Sequence, residues 1–196
     1  MIREIKAKDG ETITIRPFSL KDLGKLQQMS RLLKADTRRN YRAIPRPMPH
    51  ITDFGRFVGW VIVELKLSLS SITVFRDILI HFPRFAYIAF VAVNPKGEIV
   101  GFRFFNIIGC RDRNKCIAEQ GVVLRDDYQD KGIGTSFVAA TLEAISGDVY
   151  IVISEIYEWN TRMIHVYERI GFRKIAEFRN ESGEIVFLYA RGRSTI

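Results

Sequence analysis

A chain of 196 residues with 47% hydrophobic content is sized for one domain with a core of its own, which excludes a disordered or low-complexity protein. A formal net charge of +8 raises nucleic acid as a partner, but the basic residues are scattered. Their one local cluster, residues 34–46, also holds Asp36 and has no regular aromatic interleaving, so a solvated basic face drawn partly toward an anionic ligand is the better reading.

The first residues, Met-Ile-Arg-Glu-Ile-Lys, are charged without an apolar h-region and do not read as a signal peptide. Residues 12–16 alternate with β-branched side chains and predict a strand, which Pro17 stops; Ser19 then N-caps a helix running to about residue 33. Residues 34–49 carry Pro45, Pro47 and Pro49 and read as an irregular connection bordering a cleft. Residues 54–75 are the most apolar stretch, and from Phe57 to Leu69 only Glu64 and Lys66 are charged. Those two charges near the middle, with no basic flank bias, disfavour a membrane span. A buried helix across the sheet, or an apolar surface for dimerisation or for gripping a partner, is expected instead. A short helix over residues 73–82 follows from the spacing of Val74, Ile78 and Phe82, ends at Pro83, and holds His81 in a structural role.

The second half is more regular. Residues 87–93 and 99–106 predict strands flanking the turn Asn94-Pro95-Lys96-Gly97, and residues 115–124 a third. Residues 135–145 predict a helix, 149–156 a strand, 161–170 a helix, and 172–179 with 184–190 a hairpin around Ser182-Gly183. The two cysteines, Cys110 and Cys116, lack metal-ligand spacing, so neither a disulfide framework nor a zinc site is expected and a reducing cytoplasm is the default setting. No internal repeat or composition break divides the chain.

The most informative residues are Gln129-Asp130-Lys131-Gly132-Ile133-Gly134, between a strand and a helix. Glycine lets backbone approach a ligand closely, and the first amides of a helix lack intrahelical partners, so they point at an anion with the helix dipole behind them. A Walker loop is excluded because Gly134 is followed by Thr135-Ser136 rather than lysine, and a dinucleotide fingerprint because Phe137 stands where a small residue is needed.

The remaining pattern, Gln/Arg-x-x-Gly-x-Gly/Ala, set after Ala118-Glu119-Gln120-Gly121-Val122-Val123-Leu124, resembles the coenzyme A loop of the GCN5-related N-acetyltransferases (GNAT). Asn160, Tyr167, Gly171 and Phe172 stand at the spacing of that family's later motif, with Met163 for the usual alanine and Val166 for the usual leucine. The resemblance covers roughly residues 88–190. It implies a single α/β (α+β layered) domain over residues 1–196, with helices on both faces of a central mixed, mostly antiparallel sheet. In it, the strands at 115–124 and 149–156 form a parallel pair splayed around coenzyme A. The cofactor-binding half is placed at about 86–191 and the variable acceptor-side helices at about 19–82.

The implied reaction is attack by a neutral primary amine on the thioester of acetyl-coenzyme A in a ternary complex. An alkylammonium near pKa 10 must first lose a proton. Glu119 matches the family's strand glutamate that serves as general base; strand alternation puts it on one face with Gly121 and Val123. It lies about 13 Å from Val123, so it would act through a water; a plain salt-bridged strand glutamate is the alternative, and Glu155 the competing carboxylate. Tyr167 matches the tyrosine that protonates the leaving thiolate, although sharing a helix face with Met163 and Ile170 also suits core packing. His165 points elsewhere.

By the same resemblance, the backbones of Val122, Val123 and Leu124 pair with the pantetheine amides, and Gln129, Asp130, Lys131, Gly132, Ile133, Gly134 and Thr135 hold the pyrophosphate. Lys131 or Arg125 adds charge, and Asn160 hydrogen-bonds near the pantetheine arm. No metal is required, and His50, His81 and His165 are isolated. The short turn at 180–183 leaves one side of the cleft open, which favours a peptide or protein amine over a small-molecule amine. A non-catalytic acyl-coenzyme A sensor is the alternative function, a homodimer is allowed, and neither a membrane span nor nucleic-acid binding is expected. Acyl-chain preference stays open.

Overall fold

The computed structural model describes residues 2–42, 87–110, 116–147 and 149–192. The apolar run at 54–75 and the helix expected over 73–82, with His50 and His81, lie outside the described residues.

A hairpin of β1 (Arg3–Lys6) and β2 (Thr12–Pro17) leads into a 3-10 turn (Leu20–Asp22), then α1 (Leu23–Leu32) and α2 (Ala35–Arg42). Ser19 caps the 3-10 turn as expected from sequence, accepting from the Lys21 N–H while Asp22 returns to the Ser19 N–H in a capping box. Asp22 also holds Arg16 through two short hydrogen bonds of 2.6 and 2.7 Å, which ties the end of β2 to the start of the helices.

β3 (Tyr87–Val93) and β4 (Ile99–Cys110) follow, joined by the expected turn, which the Asn94 side chain closes on the Glu98 N–H at 2.9 Å. Then come β5 (Cys116–Leu124), α3 (Ile133–Ile145), β6 (Val149–Tyr157), α4 (Thr161–Arg169), β7 (Arg173–Arg179) and β8 (Ile185–Gly192). The strands form one eight-stranded sheet in the order β1-β2-β3-β4-β5-β6-β8-β7, antiparallel except between β5 and β6. The chain is thus a mixed α/β fold, and among the described residues its parallel pair stands where the family resemblance put it.

Each face of the sheet is covered. Leu26 and Met29 of α1, with Leu33, pack on Val91, Ile99, Phe102, Phe104 and Val123. On the other face, Phe137, Val138, Leu142 and Ile145 of α3 and Tyr167 of α4 pack on Phe90, Phe105, Ala118, Val152 and Ile156. Odd-numbered β5 residues from 117 to 123 therefore face α1 and even-numbered ones face α3.

Three expectations are corrected. β1 was not expected; it is a mostly exposed edge strand set by its pairing with β2, not by a hydrophobic pattern of its own. Residues 35–42 of the expected irregular connection are helical, because Asp126 accepts the Lys34 N–H at 2.8 Å and the Thr37 hydroxyl at 2.6 Å across 89 or more residues of chain. Cys116 is disulfide-bonded, against the expectation of no disulfide. The antiparallel register sets it opposite Cys110, the chain's other cysteine, and such cross-strand pairs stand within disulfide reach.

Gly101 of β4 lies where α3 meets the sheet: a Cβ there would stand 3.0 Å from Leu124 Cδ1 and 3.2 Å from both Ala92 Cβ and Phe137 Cε1. Gly101→Ala is expected to destabilise the fold by about 1–3 kcal/mol through overpacking, read as a lower urea midpoint at constant slope.

Candidate functional site

The site begins where the parallel pairing stops. β5 and β6 are in register only from Cys116↔Val149 to Glu119↔Ile153, yet β5 stays paired with β4 to Leu124 and β6 with β8 to Tyr157. Beyond Glu119 and Ile153 each strand is held by its outer neighbour alone, so the two diverge and leave backbone groups facing a gap. A cleft of about 580 Å³ opens there, with Val122, Val123 and Leu124 on one side and Ser154, Glu155 and Ile156 on the other.

The mouth of the cleft is the turn into α3. Asp130 and Gly132 both take the left-handed conformation, at φ 62° and 77°, which bends the backbone into the first helical turn. Gly132 is the N-cap residue and offers no side-chain acceptor, so the leading N–H groups of α3 are left to whatever enters the cleft. At Gly134 a Cβ would meet no atom within 4 Å, so protein packing does not demand glycine there; the space beside it belongs to the cleft.

Side chains brace this loop. The Gln129 amide donates to the Leu124 carbonyl at 3.0 Å and accepts from Arg162 of α4, and Arg162 also pairs with Asp130 at 3.0 Å. Neither basic residue expected to add charge is turned to the cleft for that purpose. Lys131 pairs with Asp9 at 2.7 Å and lies over the Tyr128 ring, and Arg125 grips Asp127 on the same ring. The basic side chains that line the cleft are Lys8, Arg162 and Arg169.

At the closed end, Tyr167 is 1% exposed and its hydroxyl hydrogen-bonds Ser154 Oγ at 3.2 Å. Its ring stacks on Phe172 at 4.6 Å and meets Tyr189 edge-on, which fixes the hydroxyl's direction. Burial pushes the phenol upward, partly offset by the nearby Arg103 and the Ser154 hydrogen bond, so it is a neutral proton carrier at neutral pH. Asn160 lines the cleft while its side chain accepts the Met163 N–H and caps α4.

Most of the residues named from sequence therefore meet in one cleft: Val122, Val123, Leu124, Gln129, Asp130, Gly132, Gly134, Thr135, Asn160 and Tyr167 line it. Ile133 is buried in the core beneath the turn. Glu119 is not among the lining residues; it lies half-buried on the α1 face with Val123, across the sheet from Tyr167, whereas Glu155 does line the cleft. Burial raises Glu119 to about 6, with the Glu155 charge adding to the rise, and burial raises Glu155 as well. Sequence reasoning missed Ser154, Arg162 and Lys8; alternation along β6 and the motif spacing carried no sign of them. Among the described residues, no cluster of His, Cys, Asp and Glu could hold a metal, and no helix is long and apolar enough to cross a membrane.

The description "acetyltransferase (GNAT) family" belongs to the family model that matches residues 67–172. No curated protein matches the sequence. Solved structures share the fold. The ribosomal-protein-S5-alanine acetyltransferase from Vibrio fischeri is 14% identical with a TM-score of 0.73, covering 100% of this chain and 98% of its own. RimJ from Mycobacterium smegmatis, in complex with CoA-disulfide, is 16% identical with a TM-score of 0.63, covering 97% and 86%. Spermidine N-acetyltransferase from Vibrio cholerae, in complex with CoA and spermine, is 16% identical with a TM-score of 0.61, covering 93% and 96%.

The coupled carboxylates give a direct test. In a carboxyl-detected NMR titration Glu119 is expected to titrate near pH 6, and Glu155→Gln, by removing the neighbouring charge, is expected to move that midpoint down. An unmoved midpoint would mean that the two carboxyls do not sense each other.

Proposed function

Since the chain belongs to the acetyltransferase (GNAT) family, we propose that it transfers an acetyl group from acetyl-coenzyme A to a primary amine by direct attack in a ternary complex. The observation that carries this reading is the single cleft running from the N-terminal turn of α3 to the Tyr167 hydroxyl. An anionic end and a reactive end are thereby joined by a groove of unpaired strand backbone.

Coenzyme A suits that groove by its chemistry. The pyrophosphate would lie on the backbone N–H groups from Gln129 to Thr135, with Asp130, Lys131 and Ile133 contributing through main chain and Arg162 and Lys8 supplying side-chain charge. The pantetheine amides would pair with Val122, Val123 and Leu124, with Asn160 beside them. The thioester then comes to the closed end, where a neutral Tyr167 can give its proton to the departing sulfur. A carboxylate takes the proton from the attacking amine. We assign this to Glu119, ionised above about pH 6 and acting through water, with Glu155 as the second choice because it lines the cleft itself.

We place the cofactor half at about 86–191 and the acceptor side at about 19–82, within one domain over 1–196. The acceptor we propose is a peptide or protein amine, supported by the short turn at Ser182-Gly183 and by the ribosomal-protein substrate named for the Vibrio fischeri protein. A second reading, a small polyamine, is favoured by the two carboxylates Glu119 and Glu155 on one face, and spermine accompanies the Vibrio cholerae enzyme.

Acetyl transfer from labelled acetyl-coenzyme A to a panel of peptides with free N-termini, internal lysines and polyamines tests both readings. Transfer to one class is the expected result; binding of acetyl-coenzyme A with no acceptor modified would leave a sensor as the better account. Tyr167→Phe is expected to lower kcat by roughly 10²-fold while cofactor affinity holds. Gly134→Leu would fill the space beside the α3 turn, so it should weaken coenzyme A binding at least about ten-fold at an unchanged or raised melting temperature.

A further inference from the structure

Two buried side-chain nitrogens of the described structure have no hydrogen-bond partner, Arg103 Nε and Gln120 Nε2, and they belong to neighbours. Arg103 rises from β4 under α3 and is 0% exposed. One of its terminal nitrogens donates to the Val138 carbonyl and the Thr141 hydroxyl, the other to Gln120 Oε1, and its guanidinium lies 4.5 Å from the Phe105 ring centre. All of these described acceptors are neutral.

That contact settles which way the Gln120 amide points. A guanidinium has only donors, so it must face the amide oxygen, and Nε2 is turned away from it. Gln120 is 2% exposed and is the first β5 residue past the last parallel pair, as Ser154 is on β6. Both line the cleft at its closed end together with Tyr167. A buried N–H left unpaired at the apex of the strand divergence destabilises the unliganded protein, and an acceptor oxygen arriving with a ligand relieves that cost.

We propose that Gln120 Nε2 donates a hydrogen bond to a carbonyl oxygen of the acyl-pantetheine arm at the closed end of the cleft, and that Arg103 is the positioning residue that locks the amide in the donating orientation. This rests on the reading of the cleft as an acyl-coenzyme A site. It gives that site a side-chain donor in addition to strand backbone, on the opposite face of the sheet from Glu119.

The test is calorimetric titration of acetyl-coenzyme A, with melting temperatures measured in parallel, on the wild type, Gln120→Met, Gln120→Glu and the double variant Arg103→Met/Gln120→Met. Gln120→Met and Gln120→Glu are each expected to weaken binding about ten-fold, the scale of one lost hydrogen bond. Gln120→Glu keeps a partner for Arg103, now a charged one, so its melting temperature should stay at or above that of the wild type while affinity still falls. The double variant removes both polar groups, so its melting temperature should recover relative to Gln120→Met without recovery of affinity. Wild-type affinity in Gln120→Glu, or affinity that tracks melting temperature through the series, would overturn the proposal and leave Gln120 a packing residue. A wild type that binds no acetyl-coenzyme A would overturn the acyl-coenzyme A reading itself.

Discussion

Among the described residues, four strand positions of parallel pairing between β5 and β6 are the only hydrogen-bonded join between the antiparallel halves of this sheet. Because the join is short, the strands can part beyond it; because each is laddered to an outer neighbour as far as Leu124 and Tyr157, they part without loosening. The result is a cleft whose walls are strands held from behind rather than loops. Backbone donors and acceptors that face such a gap are positioned before any ligand arrives, which removes much of the ordering cost of binding. The α3 turn depends on the same feature, since it starts five residues after the divergent end of β5, tied there by Gln129 on the Leu124 carbonyl.

The sheet also sorts the ionisable groups. Odd β5 positions put Glu119 on the α1 face, where Val123 packs, and even positions put Gln120 against Arg103 on the α3 face. The carboxylates and the phenol are thus kept on opposite sides of a layer of backbone. Burial acts on both with the same sign, holding Tyr167 protonated and making Glu119 a weaker acid. A protonated phenol and a carboxyl that titrates close to neutrality can then coexist without direct contact.

Much of this could be read from sequence wherever one strand or helix decides its own pattern. The strands from Tyr87 onward and the two cleft helices follow from alternation, helical spacing and turn chemistry, and the parallel pair from the family resemblance. The loop residues Gln129 to Thr135 could be named because glycine at a helix start has a physical reason that does not depend on the rest of the fold. What stayed hidden was set by distant partners. The α2 helix is anchored by Asp126, β1 exists by pairing with β2, and the register that sets the disulfide-bonded Cys116 opposite position 110 is not revealed by spacing alone. Lys131 looked like a phosphate ligand for the same reason, since Asp9, which pairs with it, lies far off in the chain, whereas Arg125 is taken by its near neighbour Asp127.

The buried Arg103 shows how far such a partnership can depart from sequence expectation. On β4 it sits between Phe102 and Phe104, in a run that reads as ordinary strand core, and an apolar residue would pack there at less cost. Its terminal nitrogens are instead satisfied by a helix carbonyl, a threonine that also bonds its own helix, and the amide of Gln120. Val138, one of these partners, also lines the cleft, so the cation braces α3, β4 and β5 at the level where β5 leaves β6. A charge spent in that position stiffens the apex of the divergence and directs one amide into it. Stability alone gives no reason for both consequences at once, whereas a ligand with an acceptor oxygen at the closed end does.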